Sequence, residues 1–248
     1  MQNKVVPISN VQRLAEACDT LLNRAPGTPG MALCDGPAGL GKTFAIGWLA
    51  TRKHAVFVRA LSTTTATSLM DAIAFELNIE PGKTLAGKVQ AIVAELVRTQ
   101  RPLFIDEADY VIGRDGHETR LQGAIRDLHD LSDVPVVLVG MAGIHKRIQR
   151  FPQLAGRIAN RVEFQPCTPQ DAVMLAKQLI DVEVAPDLVE DLRRRASGSV
   201  RLVTNGLAKI EQFARKHGKS RMELADWPRG ETFFLGDDAA PGRTLKAA

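Results

Sequence analysis

The chain has few groups of the kinds that staple a fold with covalent bonds or metals. Only 3 of its 248 residues are cysteine, and Cys18, Cys34 and Cys167 show neither CxxC nor metal-finger spacing. That argues against a disulfide framework or a zinc ribbon and for a reducing, cytoplasmic setting. The five histidines, His54, His117, His129, His145 and His217, are scattered and form no HExxH-like pair, so no metal is assigned to them. No Gly-x-Ser-x-Gly elbow marks a serine hydrolase, and no internal repeat marks a solenoid. The first residues lead into no signal-peptide core, and no apolar run approaches membrane-spanning length, so no membrane partner is expected.

What remains is ordinary soluble material: 45% hydrophobic and 24% charged residues, enough for one large domain or a large one plus a small one. The net charge of +4 is compatible with a nucleic-acid partner without requiring one.

One stretch stands out, Gly36-Pro37-Ala38-Gly39-Leu40-Gly41-Lys42-Thr43. It fits G-x-x-x-x-G-K-[ST], the Walker A loop, in which glycines let successive backbone N–H groups curl around an anion. Lys42 would reach the β and γ phosphates, and the Thr43 hydroxyl would ligate Mg²⁺. The buried run 31–34 before the loop reads as a strand and 44–50 after it as a helix, which places a helix N-terminus at the phosphates. Gly36, Pro37, Ala38, Gly39, Leu40, Gly41, Lys42, Thr43 and Phe44 are the candidate nucleotide contacts.

Strands and helices alternate around this loop. Val11, Leu14, Cys18, Leu21 and Leu22 stripe a helix over 9–24. A second strand is expected at 55–58. Helices follow at 66–77 and 85–98, then a third strand at 103–106. Leu103-Phe104-Ile105-Asp106-Glu107 matches a Walker B strand, with Asp106 to hold Mg²⁺ and Glu107 to orient and polarise the attacking water. Alone, an apolar strand ending in two acids also describes a solvated strand end. Its position after a Walker A loop, with strand and helix units between, favours the Walker B reading. A further helical stripe (Leu121, Ala124, Ile125, Leu128), a doubly buried strand at 136–140 and a short fifth strand at 161–164 complete an α/β pattern with a five-stranded parallel sheet flanked by helices. From Thr168 only helices are expected, the first opened by Thr168-Pro169-Gln170-Asp171.

With both Walker motifs and a helical lid, the chain resembles the AAA+ ATPases, a P-loop NTPase fold, over about residues 8–215. Ile105-Asp106-Glu107-Ala108-Asp109, then Val137-Leu138-Val139-Gly140, then an arginine-rich segment, is similar to the target-selection ATPases (B proteins) of Mu-like transposable phages and their bacterial transposon cousins. The resemblance implies an oligomeric ATPase that binds ATP and Mg²⁺, assembles as a ring or filament on duplex DNA and stimulates a transposase in the bacterial host cytoplasm. It implies an arginine finger, at Arg157 or Arg161, that completes a neighbour's site, and a lid arginine, Arg201, reaching the same phosphates. It departs from the family at the polar residue expected after the fourth strand, where Gly140-Met141 stand.

Filament relatives track DNA phosphates with basic and hydroxyl residues. That implies Lys83, Thr84 and Lys88 before one helix, and Lys146, Arg147 and Arg150 sharing one side of another. The expected organisation is an AAA+ nucleotide-binding domain at 1–167, a small all-helical lid at 168–217, and a partly flexible tail at 218–248, where Trp227, Phe233 and Phe234 either anchor a partner or pin the tail to the lid. Other readings are a replicative helicase loader, a secretion-linked ATPase and a monomeric P-loop signalling switch.

Overall fold

A computed structural model describes residues 1–2, 4–25, 27–113, 119–228 and 230–237. Pro26, His117 and the expected mobile end, 238–248, lie outside the described residues. The chain divides into two compact units, residues 10–165 and Met1–Ser9 with the chain from Pro166 onward.

In the first unit, unbroken apolar runs form the inner strands because helices cover both sheet faces. Strands β1 (Met31–Asp35), β2 (Val56–Arg59), β3 (Leu103–Asp106), β4 (Val136–Val139) and β5 (Ile158–Glu163) form a sheet in the order β2-β3-β4-β1-β5. Every pairing is parallel. β1, β3 and β4 are buried at every residue, whereas β5, on the edge, alternates in exposure. β5 starts three residues earlier than expected, because Ile158-Ala159-Asn160 carry no strong apolar pattern.

The covering helices begin where hydroxyl caps satisfy their first N–H groups. α1 (Ser9–Leu22) and α2 (Lys42–Arg52) flank β1 in sequence. Thr65 and Ser68 form a capping box on α3 (Ala66–Leu77), Thr84 caps α4 (Leu85–Thr99), and Thr119 caps α5 (Arg120–Ser132). Their inner faces, Leu69, Ile73, Ile92, Leu96, Ile125 and Leu128, share one core with Val56, Leu103, Ile105, Val136 and Leu138. Two short helices, α6 (Ile144–Ile148) and α7 (Pro152–Ala155), lead to β5.

In the second unit α8 (Pro169–Leu179) starts as expected, with Thr168 and Asp171 in a reciprocal capping box. Asp171 also accepts Ser9 N and Ser9 Oγ, each at 2.8 Å, which ties the N-terminal segment to this unit. Burial pushes the Asp171 carboxyl up, but the hydrogen bonds from Ser9 and Thr168 hold it below the usual range. α9 (Pro186–Arg195) and α10 (Val200–Lys216) follow. The unit is helical but not helices alone: β6 (Glu183–Val184) and β7 (Arg221–Met222) pair in parallel. A two-residue ladder is too short to leave a periodic signal.

The tail aromatics are not exposed anchors. Trp227, Phe233 and Phe234 are buried. Trp227 stacks on Phe233 with centroids 4.7 Å apart and lies 5.5 Å from Phe213, while Arg195 sits over Phe233 at 5.0 Å. The free cysteines are buried as well. Burial pushes the Cys18 and Cys167 thiols up to about 12, and raises Cys34 too. Among the described residues no helix is long and apolar enough to cross a membrane.

The pinned tail makes a measurable demand. Phe233→Ala is expected to destabilise the protein by about 3–5 kcal/mol, the range for a fully buried phenylalanine. The midpoint of urea unfolding measures it.

Candidate nucleotide site

Because all five strands run the same way, the ends of β1 and β3 reach one edge of the sheet, and the loop 36–41 leaves from there. Gly39 and Gly41 have φ of 81° and 87°, a left-handed backbone that side chains disfavour. Gly41 caps α2 without a side-chain acceptor. The first-turn N–H groups of Lys42, Thr43 and Phe44 therefore have no intrahelical partner and face the loop, as an anion requires.

Lys42 is folded into the loop. Its Nζ donates to Gly36 O at 2.6 Å and Pro37 O at 2.7 Å, and the residue is buried. Burial pulls its pKa below the ordinary lysine value, against the fields of Glu107, Asp106 and Asp109. An ammonium desolvated in this way gains strongly from an anion brought into the same loop.

Asp106 and Glu107 stand at the end of β3. Glu107 N donates to Asp106 Oδ1 at 2.9 Å, and Glu107 itself adopts φ 55°, an uncommon conformation for a residue with a side chain. The other carboxylate oxygen, Asp106 Oδ2, is buried and has no hydrogen-bond partner. Such an orphan is rare in native proteins and marks a place for an ion or water. Thr43 is exposed at the start of α2, and the two side chains form the hard oxygen set that suits Mg²⁺ beside phosphates. Among the described residues no three His, Cys, Asp or Glu side chains gather as a metal cage, so phosphate and water oxygens would complete the coordination.

Three residues missed in the sequence complete the site. Arg59 ends β2 in register with Asp106, donates to Glu107 Oε1 at 3.0 Å and approaches Asp106 Oδ2 to 3.9 Å. A charged residue closing a buried strand beside the Walker B strand was the available signal. Asp109 accepts Met141 N at 2.5 Å and pairs with Arg147. Met141 thus offers its backbone where a polar side chain was expected. Asp35, the last residue of β1, is fully buried and receives Arg161 and His145.

A profile of the AAA domain family matches residues 24–148, half of the chain. The chain belongs to the AAA domain family of P-loop ATPases. Among curated proteins none matches its sequence. Solved structures similar in fold include the Orc1 protein of Aeropyrum pernix in complex with DNA (TM-score 0.60, 20% identity, 88% of this chain). The Aeropyrum pernix ORC2 protein with ADPNP and ADP scores 0.64 at 14% identity over 90% of this chain. The RuvB Holliday junction branch migration motor of Thermotoga maritima scores 0.57 at 18% identity over 88%. The chain spans 62% of the Orc1 chain, 67% of ORC2 and 66% of RuvB.

Several expected positions in this AAA chain need correction. Phe44, expected among the nucleotide contacts, is 58% exposed in the first turn of α2. Arg161 does not precede β5 but lies within it, in register with Leu33, and it is bidentate to Asp35 of its own chain. Arg157 does precede β5 and pairs with Asp130, whose carboxyl it holds below the usual range. Arg201 is exposed in the first turn of α10, in the second unit. Lys88 is buried and paired with Asp71, which removes it from a phosphate-facing surface. Lys83 and Thr84 are exposed, the Thr84 hydroxyl capping α4. Lys146 and Arg150 are exposed but Arg147 turns inward to Asp109, so these three do not share one face.

Lys88→Ala is accordingly expected to lower stability by about 1–2 kcal/mol through lost stem packing and its ion pair. Lys83→Ala is expected to stay within about 0.5 kcal/mol of wild type. Parallel urea titrations of the two variants check the contrast.

Proposed function

We propose that this AAA ATPase binds ATP with Mg²⁺ in the loop 36–43, hydrolyses it through Glu107, and works as an oligomer on double-stranded DNA. The observation that carries the nucleotide chemistry is the buried Asp106 Oδ2, which has no hydrogen-bond partner, together with the desolvated Lys42 folded into the glycine loop. Thr43 and Asp106 would hold Mg²⁺, which supplies charge neutralisation at the phosphate oxygens. Lys42 binds the β and γ phosphates, and the first-turn N–H groups of α2 orient them. Glu107 accepts the proton of the attacking water once Arg59 releases it.

Two arginines compete for the role of finger, and the sheet separates them. Met31 N donates to Arg157 O at 2.9 Å, so Arg157 lies at the start of β1, about 13 Å of strand from the loop. It is too far to serve its own site. Its guanidinium is partly exposed, bidentate to Asp130 and bonded to Gln153 O, so acting on a neighbour's phosphate requires it to exchange those partners. We assign the trans role to Arg157.

The DNA association rests on the fold shared with the Orc1 protein solved on DNA and with the RuvB motor. The exposed residues Lys83, Thr84, Lys146 and Arg150 are its candidate phosphate contacts. Such contacts read no sequence and weaken steeply with salt. The finer role, selection of target DNA and activation of a transposase, rests on the sequence resemblance at 105–109 and 137–140. Negative-stain imaging with ATP, with and without duplex DNA, tests the assembly. Monomers under every condition would overturn it.

The catalytic assignment is checked by turnover. Glu107→Gln is expected to retain ATP binding and lose turnover by roughly a hundredfold or more, in the range of general-base effects. Arg157→Ala mixed with Glu107→Gln protein is expected to recover activity, because some interfaces then pair an intact Glu107 with an intact arginine. Arg59→Ala is expected to tighten Mg²⁺ dependence several-fold, since it removes a cation 3.9 Å from Asp106 Oδ2. A Mg²⁺ titration of ATP turnover reads this effect.

A further inference from the structure

Asp35 ends β1, and Gly36 opens the phosphate loop immediately after it. This single step of chain is gripped from both sides. Toward β5, Phe164 N donates to Asp35 O at 2.7 Å, and a Cβ on Gly36 would fall 2.9 Å from Phe164 O. Toward the loop between β4 and α6, Ala142 N donates to Gly36 O at 3.1 Å. The same Gly36 carbonyl accepts Lys42 Nζ at 2.6 Å. Movement of the step is therefore movement of the loop.

The Asp35 side chain is 1% exposed, yet it carries a carboxylate. Arg161 donates to it twice from β5, Nε to Oδ1 at 2.7 Å and a terminal nitrogen to Oδ2 at 2.9 Å. His145 Nδ1 of α6 lies 3.2 Å from Oδ2. A two-pronged guanidinium contact fixes orientation as well as distance, which a lysine could not do. A carboxylate buried at this depth cannot be left alone without a large desolvation cost, so it follows the cations that hold it.

We propose that Arg161 is a positioning residue acting within its own subunit. Its bidentate bond to Asp35, backed by His145, sets where the phosphate loop leaves β1 and so sets ATP affinity. The proposal rests on the nucleotide-site reading above. It removes Arg161 from the arginines that reach a neighbour and gives the β5 edge a part in binding that contact with phosphate alone would not reveal.

The test uses the full chain and a fluorescent ATP analogue, with urea unfolding of each variant alongside. Arg161→Ala is expected to weaken analogue binding about tenfold, within the range for tightly coupled neighbours, and Arg161→Lys to fall between it and wild type. Asp35→Asn combined with Arg161→Ala is expected to bind better than Arg161→Ala alone, because a neutral amide no longer requires the guanidinium. Adding Glu107→Gln subunits is expected to leave the binding defect of Arg161→Ala in place. Wild-type affinity in a folded Arg161→Ala protein overturns the proposal. So does a turnover defect with normal binding that mixing repairs. If Arg161→Ala does not fold, the double variant decides, and wild-type analogue affinity in that variant overturns the proposal. Lys42→Ala separates the two readings: normal analogue binding in that variant overturns the nucleotide site itself, whereas lost binding there with normal binding in Arg161→Ala overturns only the role of Arg161.

Discussion

Parallel strands must all finish at the same edge of their sheet, and that geometric requirement decides where chemistry can collect in this chain. β1 delivers Asp35 and the glycine loop to that edge, β3 delivers Asp106 and Glu107, and β2 delivers Arg59. The burial of β1, β3 and β4 on both faces keeps those ends from shifting independently. The same requirement sends Arg157 to the opposite edge. One chain therefore places the glycine loop at one edge of the sheet and Arg157 with its partner Asp130 at the other.

The charged groups near the cradle are sorted by depth. Asp35 and Lys42 are buried, Asp35 held by Arg161 of β5 and His145 of α6, and Lys42 by two carbonyls of the glycine loop. Charges at that depth hold position because leaving their partners would cost more than any single new contact returns. Arg59 is more than half exposed across Glu107 and Asp106, where ion pairs contribute little and exchange easily, while Arg157 is partly exposed and bidentate to Asp130. Fixed charges thus shape the loop, and the more exposed Arg59 lies where nucleotide and water would arrive.

Much of the fold was legible because its signals are local. The glycine spacing of 36–41, the apolar run 103–105 before two acids, and the threonine starts of α4 and α8 each depend on neighbours in sequence. The pattern placed α3 and β3 to the residue. What could not be read depends on distant partners. Lys88 looks like any lysine on a surface turn until Asp71 is found beside it. Arg161 looks like a free arginine until register brings it across β1 to Asp35. Trp227 and Phe233 sit in a polar stretch that conceals their burial against Phe213 and Arg195. The edge strand β5 started early for a related reason, since a strand covered on one side only carries half the apolar signal.

The cysteines lead to a practical property. All three are buried, and burial holds two of the thiols at a pKa of about 12 and raises the third. The thiolate is the reactive form, so the buried thiols are expected to react slowly with maleimides at neutral pH. A single cysteine introduced at an exposed position such as Ser62 or Lys83 would then react alone. Site-specific dyes, spin labels or cross-linkers could then be attached without first removing its own thiols.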